Sequence, residues 1–351
     1  MKVKRMATFF AVLAAALYAI NIPLSKVRLE HVQPTMMAAF LYLGAGLGLF
    51  VFGKVKKKQG EPLTKKELPC TVGMILLDIA APLLLMLGLK YTNAANASLL
   101  NNFEIVATSL IAFAVFHEKP SKRLVWAIVL VTVASIGLSF EGEGSFQFNA
   151  GSMLVLGAAC CWGLENNCTR MLSNKSSVQI TTIKGIFSGM GSLIVAWIAG
   201  ESLSGVIWLI LTMLLGFVAY GLSINFYIKA QKELGAAKTS AYYSIAPFLG
   251  VIFGMVLLRE RPGVQFYIGL AIMIAATVLL VKDTIGLQHT HTHSHTHTHE
   301  HSHGSLVHSH EHTHIHSHTH THGDDETVHS HTHTQMDDHH HLHVDFQEML
   351  S

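Results

Sequence analysis

The sequence predicts an all-α membrane protein with ten transmembrane helices, arranged as two inverted five-helix repeats and followed by a histidine-rich tail. Half of its 351 residues are hydrophobic and only 13% are charged. Apolar runs of about 20 residues, the length that crosses a bilayer as a helix, alternate with short charged stretches. Residues 90–118 also resemble residues 232–260. This composition excludes a set of soluble domains.

Ten apolar segments can be read along the first four fifths of the chain. They cover residues 6–25, 35–52, 70–89, 95–116, 124–140, 151–172, 180–199, 206–227, 237–258 and 264–281. The first five form a predicted repeat over residues 6–140, and the second five form another over residues 151–282. A cleaved signal peptide could also begin like segment one, but a disposable segment would have no reason to recur inside the chain.

The recurrence involves two separate stretches of each half. Lys90, Ala94, Ala95 and Ser98 return as Lys232, Ala236, Ala237 and Ser240, and Tyr18, Asn21 and Lys26 correspond to Trp162, Glu165 and Arg170. Because each repeat has an odd number of helices, the second inserts upside down relative to the first. Inverted repeats of this kind are typical of secondary transporters, in which two similar halves exchange conformations around a central site.

The distribution of basic residues predicts the orientation. If the amino terminus is cytoplasmic, most of the 24 lysine and arginine residues fall on the cytoplasmic side of the membrane. Both termini are therefore predicted to be cytoplasmic, in a multi-pass protein of the inner membrane.

At this point the chain resembles the EamA-type, ten-helix members of the drug/metabolite transporter superfamily. The resemblance rests on ALYAIN near the end of helix one, CCWGLEN in helix six, KYTNAANASLL leading into helix four, GAAKTSAYYSIAP leading into helix nine, and the acidic exits HEK and RER. It covers approximately residues 6–282. It implies transport of an amino acid, a nucleotide sugar, a drug or another metabolite.

Two departures from the family pattern concern the transport path. The family often carries an arginine on helix two, where this chain has Leu41 and Tyr42, and the corresponding place in the second half is Lys184. The proline that usually follows the polar patch is present as Pro247 but absent from the first half.

Charged and amide side chains inside apolar segments are the candidates for a substrate or ion path. Asp78 lies four residues before Pro82, which frees a backbone carbonyl, so the acid could bind a cation or carry a coupling proton. Asn101 and Glu104 lie three residues apart on one face, where a substrate amine or hydroxyl could meet both, and Asn102 adds a third polar group. The alternatives are a neutral structural acid for Asp78 and hydrogen bonds that join helices for the other three.

Four further residues complete the predicted path. Lys184 could pair with Glu104, Glu165 or Asp78, could hold a substrate carboxylate, or could simply extend to the membrane interface. Glu165 and its repeat equivalent Asn21 are interpreted as a gate or site wall. Tyr243 belongs to the polar lining of the second half.

The tail, residues 283–351, contains every histidine except His31 and His117 and is expected to be disordered. Its alternating imidazoles suit Zn, Ni, Co or Cu at low selectivity. The expected ligands are His291, His293, His295, His297, His299, His314, His316, His318 and His320. Repeat expansion without any role in metal binding is the alternative.

The sequence therefore predicts a secondary active transporter of a small metabolite that works by alternating access and is coupled to an ion. It is not an enzyme, it has no GxxxxGK[ST] motif, and no cofactor is required. The rival hypotheses are a divalent metal transporter and a membrane-anchored metal buffer. The expected partners are the lipid bilayer and a small-molecule substrate, without nucleic acid, and a homodimer is compatible with the sequence.

Overall fold

The computed structural model describes residues 2–53, 64–117, 120–140, 149–172, 177–286, 288–303 and 306–321. The membrane part of these residues is built of α-helices. They are α1 Lys2–Ala19, α2 Asn21–Arg28, α3 Pro34–Gly53, α4 Leu68–Tyr91, α5 Ala94–Leu100, α6 Phe103–Phe116, α7 Lys122–Leu138, α8 Ala150–Arg170, α9 Ser177–Ile183, α10 Gly189–Ile198, α11 Val206–Gly216, α12 Ser223–Leu234, α13 Ala236–Tyr243, α14 Ala246–Leu257 and α15 Val264–Gly286. A 3₁₀ turn, Lys65–Glu67, precedes α4, and π-helical segments at Lys184–Ser188 and Phe217–Leu222 join α9 to α10 and α11 to α12.

Eight helical stretches of the described chain are long and apolar enough to cross a membrane. They are Arg5–Arg28, Pro34–Val51, Lys65–Tyr91, Ala94–Val115, Gln179–Ile198, Val206–Gln231, Lys238–Leu257 and Val264–Ile285. The fifth and sixth apolar segments of the sequence form α7, with 17 residues, and the more polar α8, with 21 residues. Both pack along spanning helices, α7 against α15 and α8 against α4.

Contacts between the two halves of the chain come in matched pairs. Helix α4 packs on α8, and its counterpart in the second half, α12, packs on α1. Likewise α6 packs on α8, and α14 packs on α1. The same contacts therefore recur with the roles of the halves exchanged.

Two helices that the sequence presents as continuous are interrupted at corresponding places. Residues 95–116 divide into α5 and α6 at Asn101 and Asn102, where the Asn102 N–H donates to Leu99 O (3.0 Å), a shorter-range bond than an α-helix makes. Residues 237–258 divide into α13 and α14 just before Pro247, which has no N–H to continue the helix. The apolar pattern did not predict these breaks, because it continues across both.

Glycines allow α3 to approach the helices of the second half. A Cβ atom on Gly46 would lie 2.5 Å from the Ile186 nitrogen and 2.6 Å from the Gly185 carbonyl carbon. Both are backbone atoms, which cannot move aside as a side chain can. Small residues at such positions let helix backbones approach closely.

Replacing Gly46 with alanine is expected to destabilise the protein by about 1–3 kcal/mol, the usual cost of overpacking. Gly137 in α7 is the matched control, because its Cβ would meet nothing within 4 Å. Gly137→Ala should be neutral or stabilising by up to about 1 kcal/mol. Thermal unfolding of the two variants in detergent checks this, and equal melting temperatures would contradict the close contact.

Hydrogen bonds close one side of the helix bundle, which we call the sealed side. There the Glu201 carboxylate, just after α10, accepts from the N–H groups of Thr35 (3.1 Å) and Met36 (2.7 Å) at the start of α3. The Glu260 carboxylate, just after α14, accepts from Ala94 (2.7 Å) and Ala95 (2.8 Å) at the start of α5. Each acid therefore caps a helix of the opposite half.

A second group of contacts also joins the halves on the sealed side. The rings of His31 and Trp208 stack with their centroids 3.9 Å apart. The Gln33 amide donates to the Ser202 hydroxyl (3.4 Å). We call the opposite side, where α15 ends at Gly286, the open side.

The tail differs from its expected disorder over part of its length. Strand β1, Gln288–His303, pairs antiparallel with β2, Leu306–Thr321, and the register sets His291 opposite His318 and His295 opposite His314. The expectation of disorder is wrong for these two segments because strict alternation of histidine with threonine or serine is a period-two pattern that suits a strand. Residues 322–351 lie outside the described chain.

Candidate functional site

A cavity of about 520 Å³ lies between the two halves. This volume is in the range of pockets for small organic molecules. Its lining combines charged, amide, hydroxyl and aromatic side chains with a few aliphatic ones. They are Tyr18, Tyr42, Asp78, Asn101, Asn102, Glu104, Ile105, Trp162, Asn166, Lys184, Tyr220, Ile224, Ser240, Ala241, Tyr243, Ser244, Ala246, Pro247, Thr277, Leu280, Val281 and Thr284.

The cavity extends toward the open side. Its lining reaches Ser240 in the middle of α13 and Thr284 near the end of α15. None of the described residues that form the sealed-side helix ends belongs to the lining. The bundle is therefore closed by hydrogen bonds on one side and hollow toward the other.

An ion-pair cluster lies at one wall of the cavity. The Lys184 ammonium lies 2.8 Å from Glu165 Oε1 and 3.1 Å from Asp78 Oδ2. The Tyr42 hydroxyl donates to Asp78 Oδ1 (3.1 Å), and the Thr169 hydroxyl donates to Glu165. Lys184 therefore does not extend to the interface: two buried carboxylates hold it inside the bundle.

Glu104 is separate from this cluster. Its Oε1 accepts from the Asn166 side-chain amide (2.7 Å), which also donates to the Thr108 hydroxyl (3.3 Å). Within the described chain, no lysine or arginine lies within ion-pairing distance of Glu104. Glu104 is half-buried, so part of its carboxylate faces the cavity.

Two amide atoms beside Glu104 are buried and unsatisfied among the described residues. Within that part of the chain Asn101 Oδ1 and Asn102 Nδ2 have no hydrogen-bond partner, although both residues are more than 90% buried. Leaving such groups unpaired costs about 1–3 kcal/mol each. They lie at the break between α5 and α6 and line the cavity, so a bound solute could satisfy them.

Aromatic rings form much of the remaining wall. Tyr220 packs against Tyr18 and Tyr42, with ring centroids 5.9 Å and 5.6 Å apart, and Tyr18 also packs against Tyr243 at 5.8 Å. The indole N–H of Trp162 donates to the Tyr42 hydroxyl (3.4 Å). These rings offer flat apolar surface together with hydroxyl groups.

The structure places the predicted path residues in two groups. Asp78, Asn101, Asn102, Glu104, Lys184 and Tyr243 line the cavity. Glu165 lies behind Lys184, and Asn21 donates to the Tyr220 hydroxyl (2.8 Å) beside a smaller neighbouring pocket. Sequence reasoning left Tyr18, Tyr42, Trp162 and Asn166 outside the predicted path. The correspondence of Tyr18 with Trp162 between the repeats was the available signal for two of them.

Lys184 and Tyr220 both lie on π-helical segments, Lys184–Ser188 and Phe217–Leu222. Such wide turns are rare and occur often at functional sites.

Among the residues whose side chains the structure describes, no group of three or more histidine, cysteine, aspartate or glutamate residues could hold a metal ion. The metal-transport alternative therefore gains no support from the helices.

The sequence matches the EamA-like transporter family twice, over residues 5–140 and again over residues 149–282. The chain belongs to the EamA-like transporter family. This confirms the resemblance noted in the sequence, and each match covers one half of the helical region.

Individual relatives of this EamA-like protein agree with that assignment. An uncharacterized transporter of Methanothermobacter thermautotrophicus is 27% identical over 79% of this chain and 87% of its own length. The uncharacterized inner membrane transporter YedA of Escherichia coli K12 is 22% identical over 73% and 84%, respectively. The relatives are named as transporters, not enzymes.

The fold of this EamA-like protein is also found among solved structures. One crystal structure superposes with a TM-score of 0.57 at 15% sequence identity, covering 78% of this chain and 95% of the other. A likeness at this identity concerns the fold alone. Together these findings describe a multi-pass membrane transporter.

Proposed function

We propose that this EamA-like protein is a secondary active transporter that moves a small organic metabolite across the inner membrane by alternating access. The proposal includes ten spanning helices, two inverted five-helix repeats and an ion-coupled cycle. The observation that carries it is the pair of interrupted helices. The α5/α6 break at Asn101–Asn102 and the α13/α14 break at Ser244–Ile245 fall at corresponding places in the two halves, and both line one cavity. Interrupted helices at a repeat interface are the usual form of a transporter substrate site.

The matched contacts between the halves support the inverted-repeat arrangement. In one arrangement α4 leaves α8 while α12 stays on α1. In the other arrangement α12 leaves α1 while α4 stays on α8. Because the two contacts are alike, the two arrangements are equivalent. We propose that both termini are cytoplasmic, in which case the open side faces the cytoplasm and this arrangement is the inward-facing one. The sealed side would then open to release or admit solute outside.

The transport function can be tested on the purified full-length protein. A thermal-shift screen of small metabolites selects stabilising compounds, and counterflow in proteoliposomes then measures their exchange. Ser244→Trp should block exchange by filling the cavity, whereas Tyr242→Trp, at an exposed neighbouring position, should not. Stabilising compounds that never exchange across the vesicle membrane would refute transport.

Asp78 is the proposed ion-coupling carboxyl, because it is buried, lines the cavity and shares Lys184 with Glu165. We expect Asp78→Asn to retain counterflow but to lose the stimulation that a pH or sodium gradient gives to net transport. Asparagine keeps the size of the side chain but cannot release a proton or balance a cation. Glu30→Gln, at an exposed loop position, is the control. A variant that still responds fully to both gradients would remove Asp78 from the coupling role.

We propose, as a separate property, that the histidine-rich tail binds Zn, Ni, Co or Cu. The register of β1 and β2 supports this, since opposite residues of an antiparallel pair lie about 5 Å apart and histidine is repeatedly opposite histidine. Titration of zinc into the full-length protein and into a variant lacking residues 284–351 tests it. Equal zinc binding by the two proteins would contradict the proposal.

A further inference from the structure

We infer that the cavity takes a solute with a protonated primary amino group and an apolar body, and that Glu104 and Asn101 hold the amino group. This inference rests on the proposed transport function and adds the chemical class of the substrate. It follows from the separate environments of the charges that line the cavity.

The positive charge in the described lining of the cavity is already paired. Lys184 is the one lysine or arginine among the described lining residues, and its ammonium already lies between Asp78 and Glu165. A substrate carboxylate could reach it only by competing with two buried anions. The described lining of the cavity therefore has no free cation that could pair with an anionic group of the solute.

One negative charge in the cavity has no ionic partner among the described residues. Glu104 lines the cavity and accepts one hydrogen bond from the neutral side-chain amide of Asn166. It has no basic partner among the described residues. A carboxylate within a membrane protein is stable only when it is paired or hydrated. An ammonium group on the solute would supply the missing charge.

Two acceptor side chains lie one helical turn apart across the α5/α6 break. They are Asn101 and Glu104, and Asn101 Oδ1 is buried without a hydrogen-bond partner among the described residues. A primary ammonium has three N–H donors and can donate to both oxygens at once. A hydroxyl has one donor, so it could satisfy only one of them.

Aromatic rings in the cavity suit the apolar body of the solute. Tyr18, Tyr220 and Tyr243 form a connected aromatic wall, with centroid distances of 5.9 Å and 5.8 Å from Tyr18 to the other two rings. The faces of such rings attract an ammonium group and also pack against apolar groups. An amine attached to an aromatic or aliphatic body therefore matches both parts of the cavity.

The test measures how three probes of similar size bind to the purified full-length protein by isothermal titration calorimetry at neutral pH. The probes are 2-phenylethylamine, 2-phenylethanol and 3-phenylpropanoate. We expect the amine to bind at least about tenfold more tightly than the alcohol, because charge-assisted hydrogen bonds are roughly twice as strong as neutral ones. The propanoate should bind most weakly of the three.

Substitution of Glu104 then assigns the effect to a residue. Glu104→Gln should reduce the affinity for the amine to that for the alcohol without changing the latter, and Glu104→Asp should restore part of the preference. Glu30→Gln is the control for removal of an exposed charge. Melting temperatures show whether each variant is folded, and Glu104→Asp keeps the test valid if Glu104→Gln is not.

Three outcomes would overturn the inference: tightest binding by the propanoate, an affinity for the amine that Glu104→Gln leaves within about twofold, or no binding of any probe. They can be distinguished from failure of the transport proposal. A propanoate that binds and exchanges in vesicles would refute the amine class but support transport. An amine that binds through Glu104 and never exchanges would support the class but refute transport.

Discussion

Lys184→Met is expected to abolish transport and to lower the free energy of unfolding by about 3–5 kcal/mol, the cost of removing one partner from a buried ion pair. The lysine has ionic contacts of 2.8 Å and 3.1 Å with Glu165 and Asp78, and both acids are nearly inaccessible to solvent. Without it, two carboxylates would face each other inside the bundle. Thermal unfolding in detergent and counterflow in proteoliposomes measure the two effects.

The double variant Lys184→Met/Glu165→Gln provides the control for this explanation. It removes one of the two opposed carboxylates, so it should recover part of the lost stability while transport remains absent. If Lys184→Met melts within about 2 °C of the unmodified protein, the ion pairs contribute little and the explanation fails.

Glu260→Gln is expected to open the sealed side. Glutamine keeps the length of the side chain but has one acceptor oxygen and no charge, so it cannot cap both Ala94 and Ala95 as the carboxylate does. Hydrogen bonds to a charged group contribute about 1.5–3 kcal/mol. Loss of about 1.4 kcal/mol corresponds to a tenfold shift between the closed and open arrangements.

Labelling of a buried cysteine measures this opening. Ser98→Cys in a background without the native cysteines places a thiol next to Gly250, at a position only 2% exposed. A membrane-impermeant thiol reagent should label it about tenfold faster when Glu260→Gln is present. Glu30→Gln, also near the sealed side, should leave the rate unchanged. Equal rates in all three backgrounds would show that Glu260 does not hold the side closed.

The charged residues of the cavity could be predicted individually, but their partners could not. A charge inside an apolar segment must face a protein interior or a cavity, and this identified Asp78, Glu104 and Lys184. The sequence did not indicate which of three acids, Glu104, Glu165 or Asp78, pairs with Lys184. Which acids pair with Lys184 depends on how the helices are rotated about their axes. The packing of Gly46 against Gly185 and Ile186 constrains that rotation.

The caps of the sealed side show a different limit. Glu260 belongs to the acidic exit RER of the sequence, and its equivalent in the exit HEK, Glu118, lies outside the described residues. The sequence does not indicate that Glu260 caps a helix 166 residues away. Glu201 carries no local pattern at all, because a capping interaction between distant segments leaves no periodic signal.

The crossed caps also have a consequence for biosynthesis. The first N–H groups of α3 can be capped only after Glu201 has been synthesised. The first N–H groups of α5 can be capped only after Glu260 has been synthesised. During translation the amino-terminal half therefore enters the membrane with two helix ends unfinished. Its final assembly has to follow synthesis of nearly the whole helical region, so a chain cut between the halves should mature only when both pieces are produced together.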